Sequence, residues 1–138
     1  MKVFYDSNVI LDVLLTRQEF LQDSMKALKF SELKVVKGYI SASSITDLYY
    51  IIKRNLKDSI LTVEKIKVLA KIVKIATVKE NTIKKAINSG WNDFEDSVQF
   101  YVAKDLNVNC IVTRNKKDFS NSNIKIFTPS EFIEYMNK

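Results

Sequence analysis

The sequence predicts an α/β protein built on a parallel sheet with helices on both faces. Short β-rich runs alternate with longer segments of helical period along the whole chain. No repeat, low-complexity tract or Pro/Gly/Ser-rich linker breaks that alternation. A length of 138 residues, 46% of them hydrophobic and 28% charged, suits one globular domain over residues 1–138. Strand–helix alternation of this kind implies right-handed crossovers and a covered sheet.

The elements follow in order. Lys2–Tyr5 is the first strand candidate and runs straight into Asp6. Helical period covers Ser7–Thr16 and Phe20–Leu33, and a second strand is expected over Tyr39–Ser41. The helix over Ser43–Leu56 carries an apolar stripe of Ile45, Leu48, Tyr49 and Ile52, and Thr62–Lys71 supplies the next helix. Ile75–Val78 reads as the third strand, followed by a helix over Asn81–Asn88. The helix over Asp93–Leu106 is apolar on two faces, one through Phe94, Val98, Tyr101 and Val102 and the other through Phe100 and Ala103, so it should be mostly buried. Cys110–Thr113 and Lys125–Phe127 complete the strands around a basic loop. Thr128-Pro129-Ser130-Glu131 has the form of a helix start and opens Ser130–Met136.

Composition removes several chemistries. The chain has no histidine, which excludes His-based triads, imidazole metal ligands and histidine acid/base schemes. Two glycines are too few for a dinucleotide fingerprint or a P-loop, and one cysteine, Cys110, builds neither a zinc site nor an internal disulfide. Cys110 is expected to be reduced and buried. The balance of 22 Lys+Arg against 16 Asp+Glu, a formal charge of +6, favours a polyanionic partner as well as a solvated surface. Only Arg17, Arg54 and Arg114 are arginines, so phosphate contacts would be mostly lysine point charges that grip a backbone without reading bases. The opening Met1-Lys2-Val3-Phe4-Tyr5-Asp6 has the pattern of neither a signal peptide nor a membrane span, and the expectation is a cytoplasmic protein with no membrane partner.

On this scaffold the acids become informative. Asp6 ends the first strand, Asp47 lies in the first turns of the helix after the second, Asp96 is near the start of a later helix, and Asp118 follows the fourth strand. Helices that return antiparallel to the strands start at the strands' carboxyl edge, where ligands bind in such sheets, so all four acids belong to that edge. Packed carboxylates repel unless a divalent cation offsets them, and hard oxygen donors without Cys or His favour Mg²⁺ or Mn²⁺.

Each acid also has a plainer reading. Asp6 suits a helix N-cap, Asp47 a first-turn acid favoured by the helix dipole, and Asp93 a cap for the helix that follows. Asp12 shares a face with Asn8 and is read as solvated; Glu95 and Gln99 are also read as facing solvent. Asp96 shares a face with Phe100 and Ala103, a costly place for an unpaired charge, and is the acid with the least ordinary explanation. The loop Thr113-Arg114-Asn115-Lys116-Lys117-Asp118-Phe119 sets Arg114, Lys116 and Lys117 beside the acids, where they can hold phosphates, and Arg54 on the helix of Asp47 is placed with them.

The order Asp6-Ser7-Asn8, Asp47, Asp93-Phe94-Glu95-Asp96 and Thr113-Arg114-Asn115-Lys116-Lys117-Asp118-Phe119 strongly resembles the PIN-domain nucleases. The likeness is to the small stand-alone toxins of type II toxin–antitoxin systems, of the virulence-associated protein C kind, and it spans nearly the whole chain. It implies a three-layer α/β/α sandwich with a five-stranded parallel sheet in the order 3-2-1-4-5. It further implies a Mg²⁺- or Mn²⁺-dependent endoribonuclease in which Asp6, Asp47, Asp96 and Asp118 form the acidic quartet. Asp47 stands where the family usually has Glu, one methylene longer, so a water can bridge it to the metal. Asp93 is an extra metal ligand or support, and Asn8, Thr113 and Asn115 line the site. The implied partners are an RNA substrate, a cognate antitoxin and a second copy in a homodimer. Two other readings compete: a catalytically weak RNA- or protein-binding module on the same fold, and a phosphoacceptor signalling domain that gives no role to Asp96 or Asp118.

Overall fold

The structure, a computed structural model, describes residues 1–138. Five strands, β1 (Lys2–Tyr5), β2 (Lys37–Ser41), β3 (Lys74–Ala76), β4 (Cys110–Val112) and β5 (Lys125–Phe127), pair in parallel in the order β3-β2-β1-β4-β5. Seven α-helices connect or flank them: α1 (Ser7–Leu14), α2 (Gln18–Glu32), α3 (Ala42–Leu56), α4 (Ser59–Ile72), α5 (Glu80–Ile87), α6 (Phe94–Asp105) and α7 (Pro129–Met136). A 3₁₀ turn over Lys116–Phe119, not expected from the sequence, lies between β4 and β5.

The period-2 alternation of the strands sorts their side chains into two cores. Val3 and Tyr5 of β1, Ile40 of β2 and Cys110 and Val112 of β4 join one cluster with Ile10, Leu28, Leu48, Ile52, Leu69 and Phe132, so α1–α4 and α7 cover that face. Phe4, Tyr39 and Ile111 point the other way and pack with Ala86, Val98, Phe100 and Val102 of α5 and α6. The three inner strands, β2, β1 and β4, are buried on both faces, which is why their runs read as apolar rather than alternating, whereas the edge strands β3 and β5 stay partly exposed. Cys110 is buried, as expected, and burial holds its thiol up at about 12.

Two boundaries that differ from the sequence reading are decided by a cap. The fourth helix starts at Ser59, three residues earlier than expected, because Asp58 Oδ1 accepts the amide of Leu61 at 3.0 Å. The third strand stops at Ala76, short of Val78, because its partner Ser41 turns there to cap α3. The start at Thr128 holds: its side chain accepts the Glu131 amide while Glu131 accepts the Thr128 amide at 2.9 Å, a complete capping box. Gly38 has a packing role, since a Cβ there would meet Tyr5 Cε2 at 2.8 Å and Ser31 Oγ closer still.

Candidate active site

The connection order places a switch point beside β1: β2 and β3 lie on one side of it, β4 and β5 on the other. Tyr5 pairs with Val112, so the next residues, Asp6 and Thr113, face each other across that gap at the carboxyl edge. The Asp6 amide donates to Val112 O at 2.9 Å, which extends the sheet one step and fixes the carboxylate's origin.

Asp6 holds the N-cap position of α1 but makes no side-chain cap bond. Its carboxylate instead accepts the Thr113 hydroxyl at 2.7 Å, with the Ser7 hydroxyl more distant at 3.4 Å. The group is only 4% exposed. Burial raises its pKa, opposed by hydrogen bonds from Thr113, Gln99 and the backbone of Asn8 and Ser7. The shortest bond of this buried cap residue thus runs across the sheet to Thr113 and not to the helix it starts.

Asp96 lies in the first turn of α6, half-buried. Its pKa is pushed up to about 7, first by burial and then by the negative charges of Asp93, Asp6, Asp118 and Glu95. Glu95 is raised in the same way, by burial and then by Asp47, Asp93 and Asp6. The acids that act on one another in this way share one edge: Asp6 at the centre, Asp96, Asp93 and Glu95 from α6, Asp47 from α3, and Asp118 from the 3₁₀ turn. Asp47 and Glu95 also line one cleft with Ser7 and Arg54.

The supporting residues divide. Thr113 bridges Asp6 and the amide of Asn115, which donates to its hydroxyl at 3.1 Å. Asn8 Oδ1 lies 3.5 Å from the Arg114 amide, a long contact. Asp93 is the cap expected of it, accepting the Asp96 amide at 3.0 Å. Lys117 is exposed beside Asp118, whereas Lys116 pairs with Glu131 of α7 at 3.1 Å.

Two readings are corrected. Asp12 is not solvated: it is fully buried, accepts the Ser24 hydroxyl at 2.9 Å and the Arg114 Nε at 2.7 Å, and has Arg17 3.7 Å away. α1 packs on α2, so the face shared with Asn8 looks inward and two arginines offset the charge. Arg114 is thereby tied to the fold, its guanidinium 3.9 Å from the centre of the Phe20 ring. Gln99 is also buried, at 1% exposure, because α6 is enclosed on nearly all sides. Its Oε1 has no partner.

Comparison with known proteins decides the family. The sequence profile described as the PIN domain matches residues 2–117. The chain belongs to the PIN-domain family. This PIN domain is 29% identical over 141 residues to Ribonuclease VapC1 of Aquifex aeolicus, covering 99% of this chain and 96% of that protein. In fold it is similar to a chain in the crystal structure of VapBC2 from Rickettsia felis bound to a promoter DNA fragment, with a TM-score of 0.70 at 14% identity, over 93% of this chain and 98% of that one. The sheet order 3-2-1-4-5 expected from the resemblance is the order observed.

The PIN domain's carboxylates suit a hard divalent cation in donor chemistry, since all are oxygen donors whose repulsion a positive charge relieves. The side chains as placed do not close into a group of three or more able to hold one. Asp47, Asp93, Glu95 and Asp118 are exposed at the rim around the buried Asp6. Sequence reasoning missed Glu95 and Gln99 here. The available signal was their placement: Glu95 sits in the first turn at the carboxyl edge, and Gln99 falls three residues after Asp96 on a helix apolar on two faces.

Proposed function

We propose that this PIN domain is a divalent-metal-dependent endoribonuclease, the toxin of a type II toxin–antitoxin pair, using Mg²⁺ or Mn²⁺. The observation that carries the reading is the buried Asp6 at the gap between β1 and β4, bonded to Thr113 and ringed by the acids of α6, α3 and the 3₁₀ turn, whose charges with burial raise the pKa of Asp96. Carboxylates gathered at such a cost to one another make sense around a cation. The ribonuclease named among its relatives supports the same assignment, and the VapBC2 structure among its neighbours shares the fold.

Asp6 and Asp96 are the primary ligands, with Asp118 and Asp47 completing the set and Asp93 and Glu95 beside them. A bound divalent ion supplies acidification of a water and stabilisation of charge on the phosphodiester oxygens. The chain's own part is positional. Thr113 donates to Asp6 and so fixes its carboxylate at the carboxyl edge of the sheet. Gln99, buried beside it, favours the charged form of the same carboxylate. Asn115 keeps the Thr113 loop in register through its amide. Lys117 and Arg54, both exposed at the rim, attract the phosphate backbone without selecting sequence. The expected partners are an RNA substrate, a cognate antitoxin and a second copy of the chain, in the cytoplasm. No helix is long and apolar enough to cross a membrane.

The test is cleavage of end-labelled total RNA by purified protein in Mg²⁺, in Mn²⁺ and in EDTA, beside an Asp6→Asn preparation purified identically. Discrete products that need both metal and Asp6 support the reading. RNA binding that survives EDTA with no cleavage under any metal moves the assignment to a binding module.

A further inference from the structure

The wall of the acidic cleft carries an aromatic ring that neither the core nor the carboxylates use. Asp47, Tyr50, Ile51 and Arg54 are spaced i, i+3, i+4 and i+7 on α3 and form one stripe, and all four line a cleft of about 260 Å³ completed by Ser7, Leu11, Ser44, Leu48 and Glu95. Tyr50 is 64% exposed. Its ring is nevertheless oriented: Tyr49 meets it edge to face, with centroids 5.4 Å apart and planes at 84°, and the Lys53 ammonium lies 5.8 Å from the Tyr49 ring centre. With a rise of about 1.5 Å per residue, the backbone of Tyr50 lies about 4.5 Å along the helix axis from that of Asp47, and that of Arg54 about 6 Å beyond it.

Acid, aromatic ring and cation therefore follow one another along a single groove leading away from the carboxylates. That order matches the parts of a nucleotide chain: a phosphate at the metal-binding acids, a base on the ring, a further phosphate at the guanidinium. A flat, wet, oriented aromatic face stacks on any base, but only on a base whose own face is free. Bases in a duplex are covered above and below, so such a platform selects loops and single strands. Charges of both signs flank the ring, which suits a nucleotide better than the apolar contact a protein partner would make.

We propose that Tyr50 is the stacking platform for an unpaired base adjoining the scissile phosphate, with Arg54 on a neighbouring phosphate. The inference rests on the ribonuclease reading. It is tested by steady-state kinetics of wild type, Tyr50→Ala, Tyr50→Phe and Tyr50→Trp on a single-stranded RNA and on the same strand annealed to its complement. Tyr50→Ala should raise KM for the single strand about tenfold or more with kcat within about twofold, Phe and Trp should stay near wild type, and the annealed strand should be cut poorly by all. A KM for Tyr50→Ala within twofold of wild type, or Phe behaving like Ala, or equal cleavage of the annealed strand, overturns it. Unchanged RNA kinetics with an altered molar mass by light scattering assigns the ring to a protein interface instead, and also overturns it.

The two readings fail separately. If wild type cuts no RNA under any metal, the ribonuclease reading falls. Stacking is then read from binding alone, by titrating Asp6→Asn and Asp6→Asn/Tyr50→Ala with a single-stranded RNA containing 2-aminopurine. Quenching that weakens about tenfold without Tyr50 supports the platform, and quenching unaffected by its loss removes it.

Discussion

At the residue scale, one carboxylate serves function against stability. Asp6 is buried, its ordinary capping bond is absent, and its pKa is raised by desolvation, so in the metal-free protein its charge is a liability that Thr113 only partly offsets. Asp6→Asn and Asp96→Asn should each lower kcat by about a hundredfold or more, the loss expected when several kcal/mol of charge stabilisation go with the metal. Both variants should also melt at a higher temperature than metal-free wild type at pH 8, as differential scanning calorimetry will read. Wild-type turnover in both would remove the ligand assignment. The opposite case is Arg114. Its Nε bond to Asp12 at 2.7 Å satisfies a fully buried charge, so Arg114→Ala should destabilise the fold by about 3 kcal/mol in urea denaturation, the lower range for breaking such a pair because Ser24 and Arg17 remain. An Arg114→Ala protein of full stability that had lost RNA affinity would show a phosphate contact instead.

At the element scale, the site depends on how closely the layers approach. β2 lies between β1 and β3, and Gly38 lets the Tyr5 ring and Ser31 of α2 come against its backbone. Ser31 also donates to Ile72 O at 2.6 Å and so ties α2 to the end of α4. Gly38→Ala should cost about 1–3 kcal/mol in chemical denaturation through this overpacking, with kcat of the folded fraction unchanged. A neutral Gly38→Ala would mean that Ser31 moves aside freely. Element order was legible from periodicity because a strand's alternation and a helix's stripe are local properties. Two of the boundary differences, the start of α4 and the end of β3, arose where a cap or a departing partner, at Asp58 and Ser41, overrode the apolar pattern. The 3₁₀ turn bearing Asp118 has only four residues, too few for a period to declare itself.

For the whole molecule, the acidic edge makes stability depend on pH and on metal together. Asp96 holds its proton up to about pH 7 when folded, against an ordinary value of 3.8. Between those values the folded chain binds more protons than the unfolded one, so the stability of the metal-free protein falls as pH rises from about 4 to 7. Glu95 and Asp6 shift in the same direction and add to the slope. The melting temperature in EDTA should therefore drop from pH 5 to pH 8, and saturating Mg²⁺ should recover most of the loss at pH 8 while changing little at pH 5. A melting curve equally responsive to Mg²⁺ at both values would contradict a carboxylate-bound ion. The net charge of +6 sets the approach of a polyanion to this otherwise negative edge, so binding of any RNA should weaken as salt rises.

By itself the sequence determined the alternation of strands and helices and the delivery of Asp6, Asp47, Asp96 and Asp118 to one edge. Strand ends and helix starts are written in a few neighbouring residues, and a parallel sheet turns both toward the same side. The tertiary structure alone decided which partners those side chains meet. Thr113 reaches Asp6 across 107 residues and Arg114 reaches Asp12 across 102, and no local pattern encodes either bond. The burial of Asp12 and Gln99 was settled in the same way, by which helices lie over them. Period and capping are governed by backbone geometry within a turn or two, whereas the neutralisation of a buried charge depends on what long-range packing brings beside it.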